Sequence, residues 1–327
     1  MASITGGPYF PLLEESAATV HRLRASGNHD PLLLVRLVRL IRSLHPDIVQ
    51  TWLLQMDVLG GVAAKVCRAA WIMTERASEP HYRRSLKGAA RRSLGRHADA
   101  VVANSVRGGR YWESVAASRQ RQYVIPNGIP LDDIEAAPAV RIAGVPEDAP
   151  IILFAGRLVD QKNLLVMLDG IRRVLATTAA HAVICGEGPA HARLLEEIRR
   201  AGLEGRVHLV GFREDFWSLL KTAFAFISVS LYEGRPNTIL EAMAAGCPLV
   251  VSDIPEHREF LNTDVAWLVD PTDPEAIAAA LHHLLANRGA AQERAARARQ
   301  RASTFSLTTS QAHYHAVYDD VLKYRAE

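Results

Sequence analysis

Two glutamates with seven residues between them, Glu233 and Glu241, frame the stretch EGRPNTILE. The apolar, small-residue run after Pro236 predicts a helix, so Glu233 lies in the loop before it and Glu241 in its first turns. The free N–H groups at a helix start attract anions, and Gly234 lets the backbone come close to a ligand. Because carboxylates accept hydrogen bonds from hydroxyl groups, the pattern predicts an anion site flanked by hydroxyl-bearing groups.

Cations and glycines follow other predicted strands. Arg157 and Lys162 come after PIILFA, Gly186 after HAVIC and Gly211 after VHLV. The carboxyl ends of parallel strands meet at one edge of a sheet, where ligands bind. We therefore expect a diphosphate near the two cations, with a ribose at Glu241 and a second sugar at Glu233.

Each of these residues also has a plain structural interpretation. Thr238 and Glu241 fit a capping box, in which the glutamate caps the helix start. A lone Arg157 or Lys162 is commonly a surface cation, and Gly186 with Gly188 is a common strand-to-helix turn. The functional interpretation depends on all of them following successive strands.

The elements that would position these residues alternate regularly after residue 145. Five apolar, β-branched runs predict strands buried on both faces of a parallel sheet, with amphipathic helices between them. The right-handed crossover rule then gives a doubly wound domain. Before residue 145, ASI, TVHRL, DIVQTW, AWIMTE, AVVANS and QYVIP predict strands. The segment 129–150 lacks periodicity and is predicted to be a linker, and three helical patterns end the chain.

Composition indicates a globular protein of 327 residues, with 49% hydrophobic and 22% charged residues and a net charge of +3. That charge is too small to indicate nucleic-acid binding.

The segment 81–97 holds six Lys or Arg and no acid, which fits either a solvated helix face or contact with an anionic membrane. Three widely spaced cysteines fit a reducing compartment. We expect a cytoplasmic protein that at most contacts the inner face of a membrane from the side.

The second half resembles the C-terminal domain of family 4 retaining glycosyltransferases of the GT-B fold. The matching stretches are GRLVDQKNL, ICGEGP, VHLVGF, SLYEGRPNTILEAMAAGCPLVVSD and PEHREF with Glu259. The resemblance extends forward through VIPNGI, HPDIVQTW and LGGVAA, and so covers nearly the whole chain. It implies two Rossmann-like α/β domains facing across a cleft: an N-terminal domain (1–134), a nucleotide-sugar domain (135–306) and a C-terminal helix (307–327) that packs back toward the first.

The resemblance also implies roles for individual residues. Arg157 and Lys162 would hold the donor diphosphate, Glu233 the transferred hexose and Glu241 the ribose, while Gly211 and Phe212 would lie near the base. The further donor-binding positions are Gly156, Gly186, Gly234, Pro236, Asn237 and Thr238. No metal or cofactor is expected; the donor is a nucleotide-diphosphate sugar, UDP rather than GDP, and the acceptor is a glycan or a polyprenyl-linked glycan.

The sequence departs from the family pattern in two places. The family's first strand and glycine-rich loop have no counterpart, so we expect an incomplete N-terminal domain. Glu75 and Arg76 stand where many members have a histidine, and these two, with Asn127, are candidate cleft residues. Two alternatives stay open: a non-catalytic nucleotide-sugar binder, and a nucleotide-sugar 2-epimerase on the same fold.

Overall fold

A computed structural model describes residues 2–3, 15, 17–25, 30, 32–76, 86–115 and 120–326. The chain forms two compact units, one made of residues up to 125 together with residues from 314 onward, and one made of residues 126–313. Both contain a parallel β-sheet with helices between the strands. The predicted fold class of two doubly wound α/β domains is therefore confirmed.

The first unit contains a two-stranded sheet and a four-stranded sheet. Its elements are β1 (Ala2–Ser3), β2 (His21–Arg22), α1 (Leu32–Leu44), β3 (Ile48–Trp52), α2 (Leu54–Val66), β4 (Ala70–Glu75), α3 (Leu86–Gly95), β5 (Ala100–Ala103), α4 (Val106–Val115) and β6 (Arg121–Val124). The larger sheet has the order β3-β4-β5-β6, and β1 pairs with β2. All six strands predicted before residue 145 are present.

The central strands β4 and β5 are buried along their whole length. On one face, Trp71 and Met73 pack with Trp112 of α4. On the other face, Ile72 and Val102 pack with the C-terminal helix of the chain. Burial on both faces explains why these strands appear in the sequence as continuous apolar runs.

The second unit contains a six-stranded sheet of order β12-β11-β10-β7-β8-β9. Its elements are α5 (Leu131–Ala136), β7 (Ile151–Ala155), a 3₁₀ turn (Asp160–Lys162), α6 (Leu164–Leu175), β8 (His181–Cys185), α7 (His191–Arg200), β9 (Val207–Gly211), α8 (Phe216–Leu220), β10 (Ala225–Ser228), α9 (Asn237–Ala244), β11 (Leu249–Ser252), α10 (Pro255–Arg258), β12 (Trp267–Val269), α11 (Pro274–Ala286), α12 (Arg288–Ala302), a 3₁₀ turn (Ser303–Phe305) and α13 (Leu307–Ala326). The five predicted strands are present, and β12 is an additional edge strand. Within α13, residues up to 313 belong to this unit and the rest to the first.

The segment 129–150 is not the linker that the sequence predicts. It contains the helix α5, and Ile129, Ile134 and Val145 are buried in the core of the second unit beside β7 and α9. These apolar side chains are too irregularly spaced to show a helix or strand period. The chain instead passes between the units at residues 125–126 and 313–314.

Gly61 of α2 is required by close packing against Trp71. A Cβ atom added at Gly61 would overlap the Trp71 indole ring, whereas one added at Gly289 of α12 would meet no atom within 4 Å. Overpacking a buried position destabilises a fold, but Gly-to-Ala in an open helical site does not. We expect Gly61→Ala to lower the free energy of unfolding by about 1–3 kcal/mol.

Urea unfolding followed by circular dichroism measures this difference. Gly289→Ala is the matched control and should leave the stability equal or slightly higher. Equal stability of Gly61→Ala and the wild type would contradict the packing described here.

Candidate functional site

The loops after β7, β8 and β9 are joined to one another by backbone hydrogen bonds. Gly156 donates its N–H to the Cys185 carbonyl (3.0 Å), and Gly186 donates to the Gly211 carbonyl (2.7 Å). Leu158 also donates to the Glu187 carbonyl (2.8 Å). The three glycines that the sequence places after separate strands therefore lie along one sheet edge, as parallel strand order requires.

Gly186 and Gly188 are conformationally necessary in this arrangement. Their φ angles are +136° and +155°, in a region that L side chains rarely adopt. A Cβ atom at Gly186 would also fall on the Gly156 carbonyl oxygen, and one at Gly188 on the Leu158 carbonyl oxygen. Only glycine at these two positions allows the loops to approach so closely.

Lys162 and Glu233 form an ion pair between the loop after β7 and the loop after β10. The Lys162 Nζ lies 2.5 Å from the Glu233 Oε1, and both side chains are largely buried. Gln161 strengthens the connection, because its side-chain amide donates to the Tyr232 carbonyl (2.7 Å) and to the Glu233 Oε2 (3.3 Å). The pair places a cation and a hydroxyl-accepting carboxylate at one point of the sheet edge.

The Arg157 side chain is exposed and makes no hydrogen bond or ion pair with the other residues that the structure describes. The same edge includes the start of α9, where Pro236 is the N-cap and no side chain caps the helix. Helix-start N–H groups without a side-chain partner can receive an anion. The capping-box alternative is wrong, because Thr238 is the second residue of the helix rather than its N-cap.

Glu241 lies further into α9 and is partly buried. Desolvation raises its pKa to about 6, and the nearby Trp217 side chain opposes this rise. Burial penalises the charged form of a carboxylate that has few hydrogen-bond donors. Hydroxyl groups of a ligand would supply such donors.

The position of the loop between Glu233 and α9 is fixed by Asn127. Its side-chain amide donates to the Arg235 carbonyl (3.0 Å) and to the Asn237 Oδ1 (2.7 Å). Asn127 is itself buried. Asn127 therefore supports the loop that precedes α9 in the second unit.

Arg235 has an environment that the sequence analysis missed. The guanidinium is buried between the Phe260 and Phe305 rings, with its carbon 5.2 and 5.3 Å from the ring centroids. Its Nη2 lies 3.5 Å from Glu259, while the Nε and Nη1 have no hydrogen-bond partner among the described residues. Burial lowers the pKa of Arg235. The motif EGRPN gives no sign of the two rings, since both are distant in sequence.

His257 is a second residue that the sequence did not single out. It is fully buried in α10, and its Nδ1 lies 2.8 Å from the Ser252 carbonyl. Desolvation lowers its pKa to about 4, with the charges of Glu233 and Lys162 contributing in opposite directions. A neutral histidine facing a carbonyl carries its proton on Nδ1, so this side chain supports the end of β11.

The remaining predicted residues occupy different surroundings. Phe212 is half-exposed just after Gly211, whose φ angle is +68°. Gly234 is buried between Glu233 and Arg235. In the first unit, Glu75 is fully buried and accepts hydrogen bonds from the Arg91 Nη1 (2.6 Å) and the Trp112 Nε1 (2.7 Å).

Arg76 follows Glu75 at the end of β4. Its guanidinium carbon lies 4.8 Å from the Trp52 ring centroid, and desolvation lowers its pKa. The cleft roles predicted for Glu75 and Arg76 stay predictions. Among the described residues, no group of three or more His, Cys, Asp or Glu side chains could hold a metal ion.

Two family models together match most of the chain. Residues 138–303 match the one described as glycosyl transferases group 1, and residues 4–133 match the one described as glycosyltransferase family 4.

Curated relatives match a part of the chain. An uncharacterized glycosyltransferase of Methanocaldococcus jannaschii is 32% identical over 152 residues, 46% of this chain and 39% of that protein. The UDP-Gal:alpha-D-GlcNAc-diphosphoundecaprenol alpha-1,3-galactosyltransferase of Escherichia coli is 29% identical over 170 residues, 48% of this chain and 43% of that protein. These alignments therefore span less than half the length of either relative.

The fold of the whole chain is similar to a solved structure. HepE of Anabaena, crystallised in complex with UDP-glucose, superposes with a TM-score of 0.85 at 18% identity, covering 98% of this chain and 91% of that chain. The similarity at this identity shows a common fold, the GT-B fold.

The raised pKa of Glu241 predicts a pH-dependent stability. When the pKa of a carboxyl group rises from 4.5 to about 6 on folding, the free energy of unfolding of the protein falls as the pH increases through that window. The loss persists at higher pH. Glu241→Gln lacks this loss. We expect the free energy of unfolding of Glu241→Gln to increase relative to that of the wild type by up to about 2 kcal/mol between about pH 4 and pH 7.

Denaturant unfolding at a series of pH values, without ligand, gives the difference between the two proteins. Glu293→Gln on the exposed surface of α12 serves as the control. A difference between Glu241→Gln and the wild type that does not change with pH would show that Glu241 is not desolvated.

Proposed function

Since the chain belongs to the glycosyl transferases group 1 family, we propose that it is a retaining glycosyltransferase. It moves a hexose-type sugar from a nucleotide-diphosphate sugar to a glycan or lipid-linked glycan acceptor. The observation that carries this proposal is the pairing of Lys162 with Glu233 at an edge where three strand-end loops meet. The Lys162 ammonium, which attracts a diphosphate, and the Glu233 carboxylate, which accepts hydrogen bonds from sugar hydroxyls, lie side by side.

The proposed division of roles follows from the surroundings of each residue. Exposed Arg157 and the uncapped start of α9 receive the diphosphate, together with the Lys162 ammonium. Glu233 accepts hydrogen bonds from hydroxyls of the transferred sugar. Glu241, desolvated and short of donors, accepts them from the ribose.

The proposed reaction needs no nucleophile from the protein. The bond between the sugar C1 and the diphosphate oxygen breaks, and a bond from C1 to the acceptor oxygen forms on the same face. The acceptor's proton passes to the departing phosphate oxygen. Arg157 and Lys162 stabilise the negative charge that develops on the diphosphate, and we propose that they do so without a metal ion.

UDP is the favoured nucleotide, and a polyprenyl-linked glycan is a suitable acceptor. Support comes from the Anabaena protein, which was crystallised with UDP-glucose. The Escherichia coli relative is named for transfer from UDP-Gal to a diphosphoundecaprenol-linked sugar. We place the reaction in the cytoplasm, where the free thiols of Cys67, Cys185 and Cys247 stay reduced.

Nucleotide binding provides the test of the donor site. A ligand that binds only the folded state raises the melting temperature, with about 2.7 kcal/mol at a hundred times its dissociation constant. We expect a thermal shift with UDP and UDP-hexoses that exceeds the shift with GDP, ADP, dTDP or CMP. Glu241→Ala should weaken UDP binding, whereas Glu233→Gln should retain UDP binding and lower the rate of sugar transfer.

Glu293→Gln is the matched control and should behave as the wild type in both assays. A UDP shift without transfer to any glycan acceptor would favour the non-catalytic binder, and C2 inversion of the donor would favour the epimerase. The absence of any nucleotide shift in a cooperatively melting protein would contradict the donor site.

A further inference from the structure

The ion pair between Lys162 and Glu233 is isolated from other charges. The two side chains are 13% and 8% exposed, so the solvent screens their attraction weakly. Within the described part of the chain, neither residue has a second ion-pair partner. The Asp253 carboxylate of the same region is bound by Arg258. The attraction between the Lys162 ammonium and the Glu233 carboxylate is therefore the main charge–charge contact of each group.

Both members of the pair are held in position by their own loops. Lys162 ends a 3₁₀ turn, and the chain changes direction at Asn163, which has a left-handed conformation with a φ angle of +55°. The Lys162 stem passes over Gly156, where an added Cβ atom would lie 3.4 Å from the Lys162 Cε. Gln161 holds the other oxygen of Glu233 through its side-chain amide (3.3 Å). The pair is therefore a fixed contact between the loop after β7 and the loop after β10.

This contact has opposite consequences for the two parts of a nucleotide sugar. A diphosphate needs the positive charge of Lys162, but Glu233 neutralises that charge and repels a second anion beside it. A sugar hydroxyl donates a hydrogen bond to Glu233 and so weakens the attraction of the carboxylate for Lys162. The pair therefore opposes the binding of a nucleoside diphosphate alone more than the binding of the same nucleotide with a sugar attached.

The difference matters at the end of the proposed reaction. Once the hexose has passed to the acceptor, its hydroxyls no longer engage Glu233. The carboxylate then competes with the remaining nucleoside diphosphate for the Lys162 ammonium. Arg157 is exposed and makes no ion pair with the other described residues, so its charge stays available to the nucleotide throughout. Only the contribution of Lys162 changes between the nucleotide sugar and the product.

We propose that the Lys162–Glu233 pair makes the site discriminate between the nucleotide sugar and the nucleoside diphosphate product, and thereby speeds release of that product. This inference rests on the proposed function, because it places the diphosphate at Lys162 and the sugar at Glu233. It adds that Glu233 weakens the binding of free UDP. The proposed function requires only that a variant without the Glu233 charge still binds UDP, whereas this inference requires that it binds UDP more tightly.

The test is a double-mutant cycle in which isothermal titration calorimetry of the full chain measures the dissociation constant of UDP. Glu233→Gln keeps the shape of the side chain and removes its charge. It should bind UDP about tenfold more tightly than the wild type, because the whole Lys162 charge is then available. In the Lys162→Gln background, the same substitution should change the dissociation constant by less than about twofold. UDP-glucose should gain less affinity than UDP from Glu233→Gln, because it also loses an acceptor for its hydroxyls.

The matched control is Glu187→Gln, which removes an exposed carboxylate from the loop after β8 at the same sheet edge. It should bind UDP as the wild type does. Melting temperatures without nucleotide show whether each variant is folded, and Glu233→Ala is a second variant that should show the same gain.

Three results would overturn the inference while leaving the donor site intact. They are an unchanged or weaker UDP affinity in both Glu233 variants, an equal gain in Glu187→Gln, and an equal gain in the Lys162→Gln background. Absence of UDP binding by the wild type would contradict the donor site itself, and this inference with it.

Discussion

The close approach of the strand-end loops in the second unit is the constraint on which the proposed site depends. Gly186 lies so near the Gly156 carbonyl that no side chain fits, and backbone hydrogen bonds join Gly156 to Cys185 and Gly186 to Gly211. Lys162 and Glu233 then meet across neighbouring loops. A larger spacing between the loop after β7 and the loop after β10 would separate the Lys162 ammonium from the Glu233 carboxylate.

The support beneath these loops consists of buried polar groups. Asn127 holds the backbone of Arg235 and the side chain of Asn237, and His257 binds the end of β11. Arg235 lies between two phenylalanine rings, and its Nη2 is 3.5 Å from the Glu259 carboxylate. Removing one member of such a network leaves buried polar groups of the others without a partner, which is destabilising. These residues therefore influence the site by holding its loops in position.

The first unit contains a comparable network with a different consequence. Arg91 binds Asp57 and Glu75 in the interior, and desolvation raises the pKa of Asp57 to about 6. Glu75 is engaged by Arg91 and Trp112. In this structure the Glu75 carboxylate therefore stabilises the interior of the first unit.

The strands were predictable because burial on both faces leaves continuous apolar runs, as in β7 and β8. The sequence also indicated that glycines and cations follow successive strands. Contacts between distant residues were not predictable: Arg91 lies 34 residues from Asp57, and nothing local marks that pair. The buried residues of the segment 129–150 were not predictable because their spacing shows no helix or strand period. Pro236, not Thr238, is the N-cap of α9, so no capping box forms.

The most direct test of the donor site is a crystal structure of the full chain with UDP bound. We expect the diphosphate at Arg157, Lys162 and the start of α9, with the ribose hydroxyls hydrogen-bonded to Glu241. UDP bound elsewhere on the chain, with these side chains unchanged and uncontacted, would contradict it.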